Sequence, residues 1–127
     1  MDMKKMMMVI AVALLLAACG GKKVDEETSK IYIGKAEEVV ALLNEGDTAG
    51  VHEMLDANMK EALTADQLEE VTGMIQDSGE FKEVDKSSVE EDKGHFITVL
   101  AVKYSEGTRV FTITFNDSQE VAGLYIK

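Results

Sequence analysis

Few residues in this sequence are equipped for chemistry: one thiol, Cys19, two imidazoles, His52 and His95, and 24 carboxylates set against 13 Lys and Arg. A catalytic nucleophile needs a base within hydrogen-bond reach and a third group to orient that base. Neither histidine stands in such a motif. His52 precedes Glu53 within a helical pattern and His95 opens a strand after a turn, so both read as surface residues. Zinc requires His and Cys at ligand spacing, which two isolated histidines and a single thiol do not supply. The acidic runs Asp25-Glu26-Glu27 and Glu90-Glu91-Asp92 lack the glycine-punctuated spacing of a calcium loop, and there is no phosphate-binding glycine loop. With so many acids some carboxylate pair always falls close in space, which removes its value as a catalytic signal. No cofactor and no metal is implied. Cys19 alone has surroundings that specify a reaction.

Ahead of Cys19, Lys4 and Lys5 form a short positive segment, and Met6 to Ala18 is an unbroken apolar run, of signal-peptide rather than membrane-spanning length. Leu16-Ala17-Ala18-Cys19 resembles the lipobox of bacterial lipoproteins, in which the sulfur receives a diacylglyceryl group and the peptide bond before the cysteine is then cut. Small residues let the backbone enter the peptidase, and the thiol is the nucleophile that carries a thioether lipid. An ordinary secretory cut would leave Cys19 as a stray thiol open to oxidation outside the cell, so a lipidated cysteine explains the single Cys better. Two acyl chains, at about 0.8 kcal/mol per buried methylene, suffice for stable anchoring. The expectation is therefore a signal peptide over 1–18, lipid on Cys19 and a flexible polar tether over 19–30. The chain would sit in the cell envelope, held by its N-terminal lipid on the outer face of the cytoplasmic membrane, or in the outer membrane of a Gram-negative cell.

Removing 18 of the 127 residues leaves 109, room for one domain over 31–127. The lost segment carries Asp2, Lys4 and Lys5, so the net charge moves from −11 to −12. Such an excess disfavours nucleic acid and anionic lipid headgroups, which reward Lys and Arg. No disulfide can form inside the mature domain, so packing alone must stabilise it.

Hydrophobic periodicity then sets the elements. Tyr32, Ala36, Val39, Val40 and Leu43 recur at helical spacing and stop at Asn44-Glu45-Gly46, with Asp47 as a cap for the next segment. Val51, Met54, Leu55, Met59, Ala62 and Leu63 make a looser second stripe. Thr64 with Gln67 is a capping box that opens a third helix, whose buried face is Leu68, Val71 and Ile75 and whose terminal glycine is Gly79. Beyond Phe81 the period shortens toward two. A polar edge strand runs to about Glu90, and His95 to Tyr104 is apolar on both parities, as in a central strand covered on both sides. Arg109 to Phe115 alternates, and Val121 to Ile126 is the last strand. The pattern predicts an α+β domain, three N-terminal helices packed on a four-stranded antiparallel sheet.

Gly46-Asp47 between the first helices, Leu63-Thr64-Ala65-Asp66-Gln67-Leu68 opening the third, Gly79-Glu80-Phe81 entering the sheet and Val121-Ala122-Gly123-Leu124 in the last strand resemble domain of unknown function 3887. The resemblance covers roughly residues 31 to 127. That family appears on bacterial and archaeal surface lipoproteins and ahead of α/β-hydrolase domains. It implies a cone-like fold similar to nuclear transport factor 2, whose helices and curved sheet often enclose a pocket. Its motifs are turns and caps, and they bring no catalytic residues.

Two functions are consistent with this. One is a non-enzymatic surface lipoprotein that binds a small apolar ligand, a peptide or a partner protein, a second copy included, through its pocket or sheet face. The other is a small hydrolase or isomerase using a buried carboxylate in the cone. The sheet supplies the candidate face. Phe111, Ile113 and Phe115 must face the helices, because Val110, Thr112 and Thr114 alternate with them. A two-residue Glu106-Gly107 turn would put Glu106 at positive φ, whereas a three-residue loop Ser105-Glu106-Gly107 needs only Gly107 there. The longer loop pairs Tyr104 with Thr108, sends Ile97, Val99 and Ala101 inward, and leaves Phe96, Leu100, Val102, Tyr104 and Val110 as an outward interaction face. The other register exchanges the two sets from the first strand.

Overall fold

The structure, a computed structural model, describes residues 22–127, so the signal segment 1–18 and Cys19 lie outside the described residues. In chain order the elements are β1 (Lys22–Lys23), α1 (Glu26–Glu45), α2 (Thr48–Met54), α3 (Ala57–Ala62), α4 (Ala65–Gln76), β2 (Phe81–Asp92), β3 (His95–Tyr104), β4 (Gly107–Phe115) and β5 (Val121–Ile126). The strands form one antiparallel meander in the order β1-β2-β3-β4-β5. The α+β class stands, with four helices and five strands in place of three and four.

Each difference has a local cause. Residues 22 to 30, expected as tether, are ordered into β1 and the start of α1. Lys22 and Lys23 pair with Glu91 and Glu90, opposite charges set across the strands. Asp25 caps α1 by accepting the Thr28 N–H at 2.7 Å, and Glu26 and Glu27 favour the positive end of the helix dipole. The same hydrogen bond holds the Asp25 carboxyl below its ordinary pKa. The second helical stripe breaks into α2 and α3 because Leu55 is extended and bridges to Val121, whose carbonyl accepts the Asp56 N–H at 2.8 Å. Asp56 then caps the new helix on Met59.

Other signals hold as expected. Gly46 ends α1 in the left-handed region, and the Thr64–Gln67 capping box is formed. In α4 the buried positions are Leu68, Thr72 and Ile75, with Val71 only half-buried. Thr72 is tolerated inside because its hydroxyl donates to the Glu69 carbonyl at 2.9 Å.

One core joins Ala36, Val39, Val40 and Leu43 of α1, Val51 of α2, Leu68 and Ile75 of α4, and Leu100, Val102, Phe111, Ile113 and Phe115 of the sheet. All lie within 22–127, which therefore carries a complete core of its own. The β3–β4 register decides which strand residues belong to it. Tyr104 pairs with Gly107, Leu100 with Phe111 and Phe96 with Phe115. Directly opposed residues share a face, so Phe96, Thr98, Leu100, Val102 and Tyr104 face the helices together with Phe111, Ile113 and Phe115. The two sets of β3 are thus exchanged relative to the expected three-residue loop, through a two-residue Ser105-Glu106 turn that differs from the Glu106-Gly107 turn weighed as its alternative. Ser105 and Glu106 make the turn at negative φ, and Gly107 takes φ +156° as the first residue of β4. Two hydrogen bonds fix this tight turn on the α4–β2 connection: the Ser105 N–H to the Glu80 carbonyl, and the Glu106 N–H to that of Ser78. β3 is central, as expected, but only one of its faces is covered.

Candidate functional site

The uncovered face follows from the strand pairings. Val99, Thr112 and Tyr125 form one transverse row, Ala101, Val110 and Lys127 a second, and Ile97, Thr114 and Gly123 a third. On β2 these rows continue to Ser88, Lys86 and Glu90. Every alternate residue of β3 from Thr98 to Tyr104 is buried, while Ile97, Val99 and Ala101 between them are half-buried and none of the three belongs to the core. Tyr125 is 62 % exposed. The centre of the face is uncharged and partly apolar. At its margins the three acids Glu83, Glu90 and Asp92 stand with the four lysines Lys23, Lys86, Lys103 and Lys127, so the acidic excess of the chain lies elsewhere.

Of the interaction face expected from sequence, only Val110 lies here. Leu100 and Val102 are 0 % exposed and Tyr104 is 5 % exposed, all in the core. Phe96 is half-buried on the helix side, its ring stacked on Tyr32 at 4.3 Å. The correction is a register shift of one residue, which moves a strand's whole apolar set to the opposite face. Ile97, Val99 and Ala101 were missed for that reason, and Tyr125 joins them through the β4–β5 pairing with Thr112, for which the sequence pattern assigned no faces. The signal available was Gly107, which can open a strand as readily as it closes a loop and then leaves Ser105 and Glu106 as the turn, an arrangement outside the two weighed from the sequence.

A second concavity opens on the helix side, between α1 and the start of β2. This groove, of about 610 Å³, is lined by Glu37, Val40, Ala41, Asn44, Glu45, Phe81 and Val84. It exists because β2 is the sheet's edge along most of its length: β1 covers only Glu90 and Glu91. Bulges between Phe81 and Glu83 and between Val84 and Lys86 bend that edge, which discourages pairing with another strand. Phe81 shares the inward parity of Tyr104 yet is 45 % exposed, its ring edge-on to Tyr104 at 6.1 Å. Behind the groove the Tyr104 hydroxyl donates to Asn44 Oδ1 at 2.6 Å. Burial pushes the Tyr104 pKa up to about 12, against smaller lowering effects from the Asn44 hydrogen bond and from Arg109.

The two histidines and the arginine lie away from both surfaces' centres. His52 Nε2 lies 3.3 Å from the Lys60 carbonyl, and His95 is exposed beside the Lys93-Gly94 turn. Arg109, the chain's single arginine, donates from Nε to Ser78 Oγ at 2.7 Å, tying β4 to the end of α4. Among the described residues no group of three His, Cys, Asp or Glu is placed to hold a metal ion, and the buried polar side chains are Thr72, Ser78 and Thr98. The Thr98 hydroxyl has no partner.

A family model described as "Protein of unknown function (DUF3887)" matches residues 36–124, from the middle of α1 into β5, and the chain belongs to that family. No curated protein and no solved structure matches it.

Proposed function

We propose that this member of the family is a lipid-anchored, non-enzymatic binding protein of the cell surface, and that its uncovered sheet face pairs with a second copy of the chain. The observation that carries the reading is that face: three strand rows with an uncharged centre and margins of mixed charge on an otherwise acidic molecule. A second copy meets little net like charge there, whereas the acidic rest of the surface repels one. A two-fold axis through the face lets the same patch serve both subunits, and contiguous apolar exposure of this kind marks interaction sites. Four helices set over one face of a curved antiparallel sheet support a cone similar to nuclear transport factor 2, here with its interior filled by Leu100, Phe111, Ile113 and Phe115. Among the described residues no carboxylate is buried, which favours binding over hydrolase or isomerase chemistry with a buried base.

Sedimentation equilibrium on residues 22–127 tests the pairing. The parent is expected to dimerise, and Val99→Glu to remain folded by circular dichroism yet run as a monomer. A parent that stays monomeric at high concentration overturns the reading. The anchor rests on Leu16-Ala17-Ala18-Cys19 and is tested by metabolic labelling with a fatty-acid analogue. Label is expected on the parent, and its retention by Cys19→Ser would exclude lipid on that sulfur.

A further inference from the structure

The groove between α1 and β2 lies on the opposite side of the sheet from the self-pairing face, and nothing in the dimer reading uses it. Its walls are Val40 and Ala41 from the helix and Phe81 and Val84 from the strand. Phe81 is the informative residue. Its parity along β2 is that of the core, yet almost half its surface is open, because the short β1 leaves this stretch of the edge uncovered. A volume of about 610 Å³ falls within the range of small-molecule sites.

Charge selects the occupant. The lining contains Glu37 and Glu45 and no Lys or Arg. Eight residues apart on one helix, the two carboxylates stand roughly 12 Å from each other along the axis, with Val40, Ala41 and Asn44 between them. The nearby Lys82 ammonium is held by Glu80 at 3.1 Å and does not offset them. Both carboxylates are exposed at the groove's rim. An anionic amphiphile would meet these two charges and the acidic surface beyond them. A cationic one places its apolar body against Phe81, Val84 and Ala41 and its ammonium at either carboxylate.

We propose that this groove binds a small organic cation with an apolar body, an alkyl- or arylammonium compound. The proposal is independent of the sheet face and survives if the chain proves monomeric.

The test is titration of residues 22–127 with octylammonium, below its micelle concentration, followed by amide chemical shifts in NMR spectra, with octanoate as the charge-reversed control. Octylammonium is expected to bind with a dissociation constant of about a millimolar and to shift Ala41, Asn44, Phe81 and Val84, whereas octanoate leaves them unmoved. Glu37→Gln with Glu45→Gln is expected to weaken binding by about three- to five-fold. Ala41→Leu, which fills the groove from an exposed helix position, should abolish it while leaving the fold intact. Equal binding of octanoate, shifts confined to another part of the surface, or undiminished affinity in Ala41→Leu would each overturn the proposal.

Discussion

The two faces of β3 and β4 are made from similar residues and have opposite fates. On the helix side Leu100, Val102, Phe111, Ile113 and Phe115 are sealed, and on the other Ile97, Val99, Ala101 and Val110 are half-open although no less apolar in kind. Composition therefore does not distinguish core from surface in this sheet; covering elements do. Among the described residues all four helices lie between β1 and β2 in the chain and pack against one core. None of these four covers the second face, which is left open to water or to contact. Thr112, Thr114 and Ser88 on that face are compatible with both water and contact, as a surface that is exposed part of the time requires.

The largest effect expected from this contrast is a pair of alanine substitutions. Leu100→Ala removes a fully buried side chain and should destabilise the domain by about 3 kcal/mol. Its neighbour Val99, one residue away and half-buried, should lose no more than about 0.5 kcal/mol in monomer stability when cut to alanine. Urea titrations of the two variants at a concentration too low for dimerisation check this. Similar losses would mean that the second face is covered after all.

Much of the fold could be read in the sequence, and the exceptions have physical explanations. The α1 stripe, the glycine stop at Gly46, the Thr64–Gln67 capping box and the inward set Phe111, Ile113 and Phe115 are local signals, and the structure contains them all. The start of α1 was written as Asp25-Glu26-Glu27, a cap followed by acids suited to a helix N-terminus, but its polarity read as a tether. The split between α2 and α3 depends on a bridge from Leu55 to Val121, 66 residues on, which no local pattern announces. The interaction face turned on a single residue of register. Tertiary hydrogen bonds from Ser105 and Glu106 to the α4–β2 connection hold the tighter turn, and these too are non-local. The groove was illegible because it depends on the short span of β1, a strand the sequence did not suggest.

The next effect is smaller and depends on pH. Tyr104 is the one member of the inward set of β3 that carries an ionisable group, and burial raises its pKa to about 12, against about 10 for an unfolded tyrosine. The folded state thus binds the phenolic proton more tightly than the unfolded one does. This contribution to stability is fully present below about pH 10 and is lost as pH rises from there through about 12. Tyr104→Phe should flatten the alkaline limb of a stability–pH curve, and at neutral pH should cost about 1 kcal/mol for the lost hydrogen bond to Asn44. Tyr125, 62 % exposed on the other face, serves as control: Tyr125→Phe should leave the alkaline limb in place.

The smallest effect has the opposite sign and places one substitution on both faces. Thr98 is 0 % exposed at the centre of the inward set, between Val89 on β2 and Ile113 on β4, and its hydroxyl has no hydrogen-bond partner. Folding strips that hydroxyl of water and returns nothing, so valine, which keeps the β-branched shape, should stabilise the domain by about 1 kcal/mol. Thr112, on the open face opposite Val99, keeps access to water in the folded state. Thr112→Val should therefore leave monomer stability within about 0.5 kcal/mol. It should tighten self-association, because it adds apolar surface at the centre of the pairing patch. Thermal denaturation separates the first pair of outcomes and sedimentation the second. If Thr98→Val were neutral, an internal water would have to satisfy the hydroxyl; if Thr112→Val stabilised the monomer as much as Thr98→Val, the two faces would not differ in their access to solvent.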